Sequence, residues 1–152
     1  MDLGIISYNL WFKAMQKDKN KKNINDFFKD ILNSGSYSVI ALQEATNWEY
    51  LRDNSLKGFE TVYHKSGLED MATFYDSKKL KKTNEILSEF ANARPYQMIE
   101  FELINDTNTK ILFINIHCGH NAYECIYSNR GFSANLHSML NKRDPNSLHI
   151  II

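Results

Sequence analysis

The fold is decided by residues 38–45, SVIALQEA. Ser38 to Leu42 form an apolar run without polar alternation, the pattern of a strand covered on both faces. The run then closes on an amide, Gln43, and a carboxylate, Glu44. Upstream, residues 4–9 (GIISYN) make another short strand, carrying β-branched and aromatic side chains. Between the two, the periodicity becomes helical over residues 24–33: Ile24, Phe27, Phe28, Ile31 and Leu32 form one apolar stripe, which Asn33, Ser34, Gly35 and Ser36 end. Residues 12–25, dominated by Lys, Asp and Asn, include Lys17, Lys19, Lys21 and Lys22; Asp18 and Asn20 interrupt this basic run, so it reads as a solvated loop before it reads as a phosphate-binding patch.

Downstream, residues 46–51 suggest a helix. Residues 58–64, with alternating Phe59, Thr61 and Tyr63, and residues 72–75 suggest two strands around a turn at Ser66 and Gly67. Residues 78–82 read as a basic loop. Residues 96–104 and 110–116 flank the polar turn 105–109 and form an antiparallel hairpin. A helix over residues 133–141 buries Leu136, Met139 and Leu140, and a turn at Asp144, Pro145 and Asn146 leads into an apolar strand, Leu148 to Ile152. The order predicts an α/β fold, a mixed β-sheet with flanking helices.

With 152 residues, 17.7 kDa and 43% hydrophobic side chains, the chain builds one core, and residues 1–152 read as a single domain. Eighteen basic residues balance eighteen acidic ones, which removes the global positive field of a dedicated nucleic-acid coat. The two cysteines, Cys118 and Cys125, are too few for a disulfide framework and fit a reducing compartment, cytoplasm or nucleus. No apolar run approaches the ~18 residues of a membrane span, and a strand-like segment stands where a signal peptide would begin. The expectation is an intracellular protein with no transmembrane segment.

Chemistry-bearing residues stand at strand ends. Asn9 ends the first strand, Glu44 the second and His117 the return strand of the hairpin. Ligands bind in the crevice beyond the carboxyl ends of strands that share an edge, so these three are candidates to converge. A carboxylate beside an amide oxygen suits a hard cation such as Mg²⁺, and an imidazole donates to phosphate or moves a proton. On spacing alone the alternative stays open that Glu44 caps the following helix and His117 is a satisfied strand-end histidine. His117, Cys118, His120 and Cys125 crowd four soft ligands together, but neighbours on a strand face opposite ways and the spacing fits no common finger, so no zinc is expected. Trp11 and Trp48 follow the candidate residues closely; they are possible stacking walls for a base, with core the preferred reading for Trp11.

Asn9 in SYNLW, Gln43 and Glu44 in VIALQEA, Glu69 to Tyr75 in EDMATFYDSKKL, and His117 in FINIHCGH occur in the order of the endonuclease/exonuclease/phosphatase superfamily. The chain resembles the N-terminal half of that superfamily, and the QE pair is the most specific match. The resemblance implies the first half of a four-layered α/β/β/α DNase I-like sandwich and a Mg²⁺-dependent phosphoester hydrolase, a nuclease or a phosphodiesterase/phosphatase. It implies Glu44 and Asn9 as metal residues and His117 as a catalytic residue against the scissile phosphate. It adds Glu69 and Arg94 as substrate-binding candidates, with Asp70 standing where members often have glycine. Nucleic acid, inositol phosphate and phospholipid headgroup remain open as substrates.

The superfamily's Gly-Asp-x-Asn motif and its late aspartate and histidine pair are absent from these residues. The chain therefore reads as a C-terminally truncated domain, inactive alone or a non-catalytic remnant or binding module. It is expected to expose a sheet face through Val39 to Leu42 and Ile111 to Ile116, and an uncharged edge at Ile150 to Ile152, with aggregation or partner-dependence as the consequence.

Overall fold

The computed structural model describes residues 3–90, 93–118, 130–141 and 148–151. Two four-stranded sheets carry the fold. In the first, β1 (Gly4–Asn9) lies parallel to β2 (Tyr37–Gln43), which pairs antiparallel with β4 (Glu69–Tyr75), and β3 (Glu60–Ser66) completes the order β1-β2-β4-β3. The second has the order β5-β6-β7-β8, with β5 (Leu80–Glu89), β6 (Pro95–Leu103) and β7 (Asp106–Ile116) antiparallel in turn and β8 (Leu148–Ile151) parallel to β7. The helices are α1 (Asp18–Ser34), α2 (Trp48–Asp53) and α3 (Arg130–Asn141).

The alternation of side chains along each strand divides the core into three slabs. Ile40 and Leu42 of β2 and Ala72 and Phe74 of β4 pack with Phe28 of α1 and Leu51 of α2 on the outer face of the first sheet. Their neighbours Val39, Ala41 and Tyr75 turn the other way and meet Ile99, Phe101, Ile111 and Phe113 of the second sheet. Leu112 and Ile114 then face outward again, onto Phe132 and Met139 of α3. Helix, sheet, sheet and helix follow one another, the four-layered arrangement that the resemblance implies. This explains why β2 reads as apolar throughout: one set of side chains faces helices and the other a second sheet.

That packing corrects the expectation of an exposed sheet face. Ile40, Ala41 and Leu42 have no accessible surface, Val39 has 4%, and Ile111 to Ile114 have at most 3%. Strands β5 to β7 of the second sheet come from residues 80–116, and their side chains cover the inner face of the first. Two further expectations change. Helix α1 starts at Asp18, ahead of the apolar stripe, so the lysine-rich stretch is its solvated first turns; Asp18 pairs with Lys21 and Asp26 with Lys22. The basic loop at 78–82 is in part the start of β5, an edge strand whose residues 81–85 are exposed and whose charges conceal its strand character. Gly67, at φ +57°, makes the tight turn between β3 and β4.

Candidate functional site

Five candidate residues leave or enter strands at one end of the two sheets. Asn9 ends β1, Glu44 follows β2, Glu69 opens β4, Arg94 immediately precedes β6 and His117 follows β7. Glu44 leaves β2 at φ +51°, a left-handed conformation that costs a non-glycine residue ~1–2 kcal/mol. Trp11, Asn47 and Ala93 are the other described non-glycine residues with positive φ, and each lies within three positions of a candidate residue. Among the described residues, positive-φ backbone outside glycine is concentrated where the candidate residues converge.

Hydrogen bonds fix the arrangement. Asn9 donates through Nδ2 to Glu44 Oε1 at 3.0 Å, and its Oδ1 accepts the Trp11 N–H at 2.8 Å. Glu44 Oε2 accepts the Phe12 N–H at 3.1 Å, so the turn after β1 is clipped to both residues. His117 Nε2 lies 3.4 Å from Asn9 Nδ2 and 3.6 Å from Glu44 Oε1, across the two sheets. On its other side His117 Nδ1 is 2.9 Å from Glu69 Oε2, and Glu69 Oε1 pairs with the Arg94 guanidinium. Arg94 Nη1 approaches the imidazole as well, at 3.1 Å from Nδ1. A carboxylate only accepts and a guanidinium only donates, so an Nδ1–H tautomer of neutral His117 serves Glu69 and turns the Nε2 lone pair to the Asn9 amide, whereas an Nε2–H tautomer serves the Arg94 donor at Nδ1.

Burial works against the charge on Glu44, but the Asn9 and Phe12 hydrogen bonds and the nearby His117 and Arg94 outweigh it and hold the carboxyl below its ordinary value of 4.5. Glu44 is therefore an ionised carboxylate at neutral pH. It lines a cavity of about 460 Å³ together with Trp11, Phe12, Thr46, Leu68, Glu69 and Arg94. Such an opening, with a partly solvated carboxylate, fits Mg²⁺, which keeps several waters and needs only one or two protein carboxylates. Glu44 is the donor best placed for it. Asn9 presents nitrogen to Glu44 and commits its oxygen to Trp11, so as it stands it orients the carboxylate, and acting as a ligand would require its amide to turn. Among the described residues no group of three His, Cys, Asp or Glu side chains forms a metal cage; His120 and Cys125 lie outside them.

Trp11 departs from the preferred core reading. It is 60% exposed and stands on the rim of the cavity. Trp48 is the packed one, stacked on Tyr63 at 5.1 Å between centroids. Asp70, met in the sequence only as a replacement for glycine, is buried; it accepts from Tyr63 Oη at 2.5 Å and Thr46 Oγ1 at 3.1 Å, tying the segment after Glu44 to the β3–β4 hairpin. Burial and that hydrogen bond push the Tyr63 phenol well above its ordinary value. Neither Thr46 nor Leu68 carried a signal in the sequence, because only the cavity brings them to the carboxylate.

No family model and no curated protein sequence matches the chain. Solved structures do. The fold is that of the endonuclease/exonuclease/phosphatase proteins, the DNase I-like class. An endonuclease/exonuclease/phosphatase family protein from Bacteroides thetaiotaomicron superposes at TM-score 0.72 and 16% identity, over 98% of this chain and 61% of its own. A humanized D. rerio TDP2 matches at TM-score 0.65 and 13% identity, over 98% and 60%. ANGEL2, a 2',3'-cyclic phosphatase, matches at TM-score 0.60 and 17% identity, over 77% and 41%. At these identities the likeness is one of fold, and this chain spans about half the length of the structures it matches.

Proposed function

We propose that the chain supplies the cation- and phosphate-binding portion of a Mg²⁺-dependent phosphoester hydrolase site. The observation that supports this best is the convergence of Asn9, Glu44, Glu69, Arg94 and His117, from five separate strand ends, in one hydrogen-bonded cluster beside the cavity. Glu44 would hold the cation, oriented by Asn9 and the Phe12 N–H. Bound there, Mg²⁺ would offset charge developing on a phosphate oxygen. The chain's own contribution is positional. Glu69 holds His117 by Nδ1, so that a proton taken up at Nε2 is available to a phosphate oxygen, and Arg94 offers a planar set of N–H donors to the same anion.

None of the residues matches the Gly-Asp-x-Asn motif or the aspartate and histidine pair that would activate water, so hydrolysis in this reading needs groups from outside them. The substrate class we favour is a nucleic-acid-derived phosphoester, in keeping with the exposed Trp11 on the cavity rim and with the structural likeness to a 2',3'-cyclic phosphatase, over an inositol phosphate or phospholipid headgroup. Among the described residues no helix is long and apolar enough to cross a membrane.

The test is calorimetric titration with Mg²⁺ and then orthovanadate, for the wild-type chain and Glu44→Gln, beside an assay on adenosine 2',3'-cyclic phosphate and oligonucleotides. Mg²⁺ binding that depends on Glu44, with little or no turnover, is the expected result. Equal Mg²⁺ binding by both proteins would refute the site.

A further inference from the structure

The space between the two sheets changes character along its length. Away from the site it is filled by Val39, Ala41, Tyr75, Ile99, Phe101, Ile111 and Phe113. Beneath the site the same inward-facing rows continue as Gln43, Thr73, Gln97 and Asn115, with 6% exposure at Gln43 and none at the other three. Gln43 Nε2 donates to Asn115 Oδ1 at 2.7 Å, crossing from β2 to β7, and to Ser7 Oγ of β1 at 3.2 Å. Asn115 Nδ2 donates to Thr73 Oγ1 at 3.0 Å and to Gln97 Oε1 at 3.3 Å. Thr73 Oγ1 donates to Gln97 Oε1 at 2.6 Å, and Gln97 Nε2 ends the chain on the Val62 and Met71 carbonyls. From Gln43 of β2 onward each member donates to the next, as far as the backbone of β3 and β4, while a branch from Gln43 runs back to Ser7 of β1.

Each member sits on a strand that delivers one candidate residue. Ser7 precedes Asn9, Gln43 precedes Glu44, Thr73 follows Glu69, Gln97 follows Arg94 and Asn115 precedes His117, none more than four positions away. Apolar side chains tolerate small slides of one sheet over the other, because dispersion has no direction, whereas a shift that separates these amides leaves buried donors unsatisfied. An all-apolar interlayer would hold the sheets together without fixing Glu44 against His117. That is one of the distances the cluster must keep across the layers, beside those of Asn9 and Glu69 to the same ring.

We propose that Gln43, Thr73, Gln97 and Asn115 are positioning residues, an amide clasp between the sheets that sets the separation of Glu44 and His117. The inference rests on the site reading above for its consequence, Mg²⁺ affinity, but not for its geometry. Two readouts keep these apart in the full 152-residue chain. Long-range proton–nitrogen NMR of the His117 ring, assigned with His117→Gln, reports whether one Nδ1–H tautomer is held; calorimetry reports Mg²⁺ affinity.

Thr73→Val removes the hydroxyl at constant shape and should convert the single tautomer into an exchanging mixture and weaken Mg²⁺ binding about 10-fold, the scale found for residues that orient metal ligands. Thr73→Ser should restore both. Phe113→Leu, in the apolar end, should lower the unfolding midpoint and move neither readout. Should Thr73→Val not fold, Gln43→Met at the more accessible end of the clasp carries the same expectation. A clasp variant that folds with the wild-type His117 spectrum overturns the proposal, as does Thr73→Ser behaving like Thr73→Val, or Phe113→Leu disturbing the ring equally. Wild-type chain that binds no Mg²⁺ while the ring responds as stated would sink the functional reading and leave the clasp standing.

Discussion

The two ends of the interlayer core are built from the same strands and serve opposite ends. At the apolar end, Phe101 packs on Tyr75 with the rings tilted by 51° and centroids 5.0 Å apart, and the aliphatic and aromatic side chains of Ile99, Ile111 and Phe113 fill the space. At the site end, four buried amide and hydroxyl side chains occupy equivalent positions and are bonded to one another. The apolar end contributes adhesion, which scales with buried area and is indifferent to direction. The polar end gains little net stability from its hydrogen bonds but makes one relative placement of the sheets preferable to its neighbours. Stability and precision thus lie one inward-facing position apart on each strand, at Ala41 and Gln43, Tyr75 and Thr73, Ile99 and Gln97, and Phe113 and Asn115.

The sharpest way to break this contrast is to cut each end in turn. Phe113→Ala should cost ~3–5 kcal/mol of stability, since a fully buried ring leaves a cavity between two sheets. Denaturant unfolding measures this, and a loss below ~1 kcal/mol would mean that the interlayer is not the packed core described. Glu44→Gln should lower that unfolding curve at neutral pH far less than Phe113→Ala does, by the contribution of the ionised carboxyl alone, while weakening Mg²⁺ binding by about 100-fold or more, equivalent to ~2.7 kcal/mol. Calorimetry decides it.

A pH series refines the same point. Because the folded Glu44 carboxyl sits below its ordinary value of 4.5, the unfolded chain takes up its proton first as pH falls. Its contribution to stability is complete above that value and is lost as pH drops through the lowered one. Between pH 5 and 3 the wild-type denaturation midpoint should therefore fall more steeply than that of Glu44→Gln; parallel curves would show that the carboxyl is not held in its charged form. The smallest effect belongs to the surface. Lys22→Ala, which removes the 2.7 Å pair with Asp26 on α1, should leave the unfolding midpoint nearly unchanged and move neither site readout, since the pair is open to solvent.

What was legible in the sequence was whatever repeats locally. The unbroken apolar run of β2, the stripe of α1 and the alternation of the β6–β7 hairpin each follow from a period of 2 or 3.6, which needs no knowledge of the partner. Asn9, Glu44 and His117 were found because polar residues directly after apolar strands stand out, and Glu69 and Arg94 only because a resemblance pointed to them. The start of α1 and the whole of β5 were missed because both are dressed in lysine, asparagine and glutamate, where solvent exposure masks backbone structure.

By itself, then, the sequence determined which segments are strands and helices with an apolar face, and which polar residues end them. Only the tertiary structure decided that the strands divide into two stacked sheets, that Val39 and Ile111 belong to one interlayer core, and that Trp11 stands on a rim while Trp48 is packed. It also decided the clasp: Thr73, Gln97 and Asn115 are unremarkable one at a time, Gln43 stands out only beside Glu44, and most of their contacts span 24 or more residues. The reason is physical. Hydrogen-bond partners across two layers are set by which faces meet and in what register, and that information resides in the packing of distant strands, not in the period of any one of them.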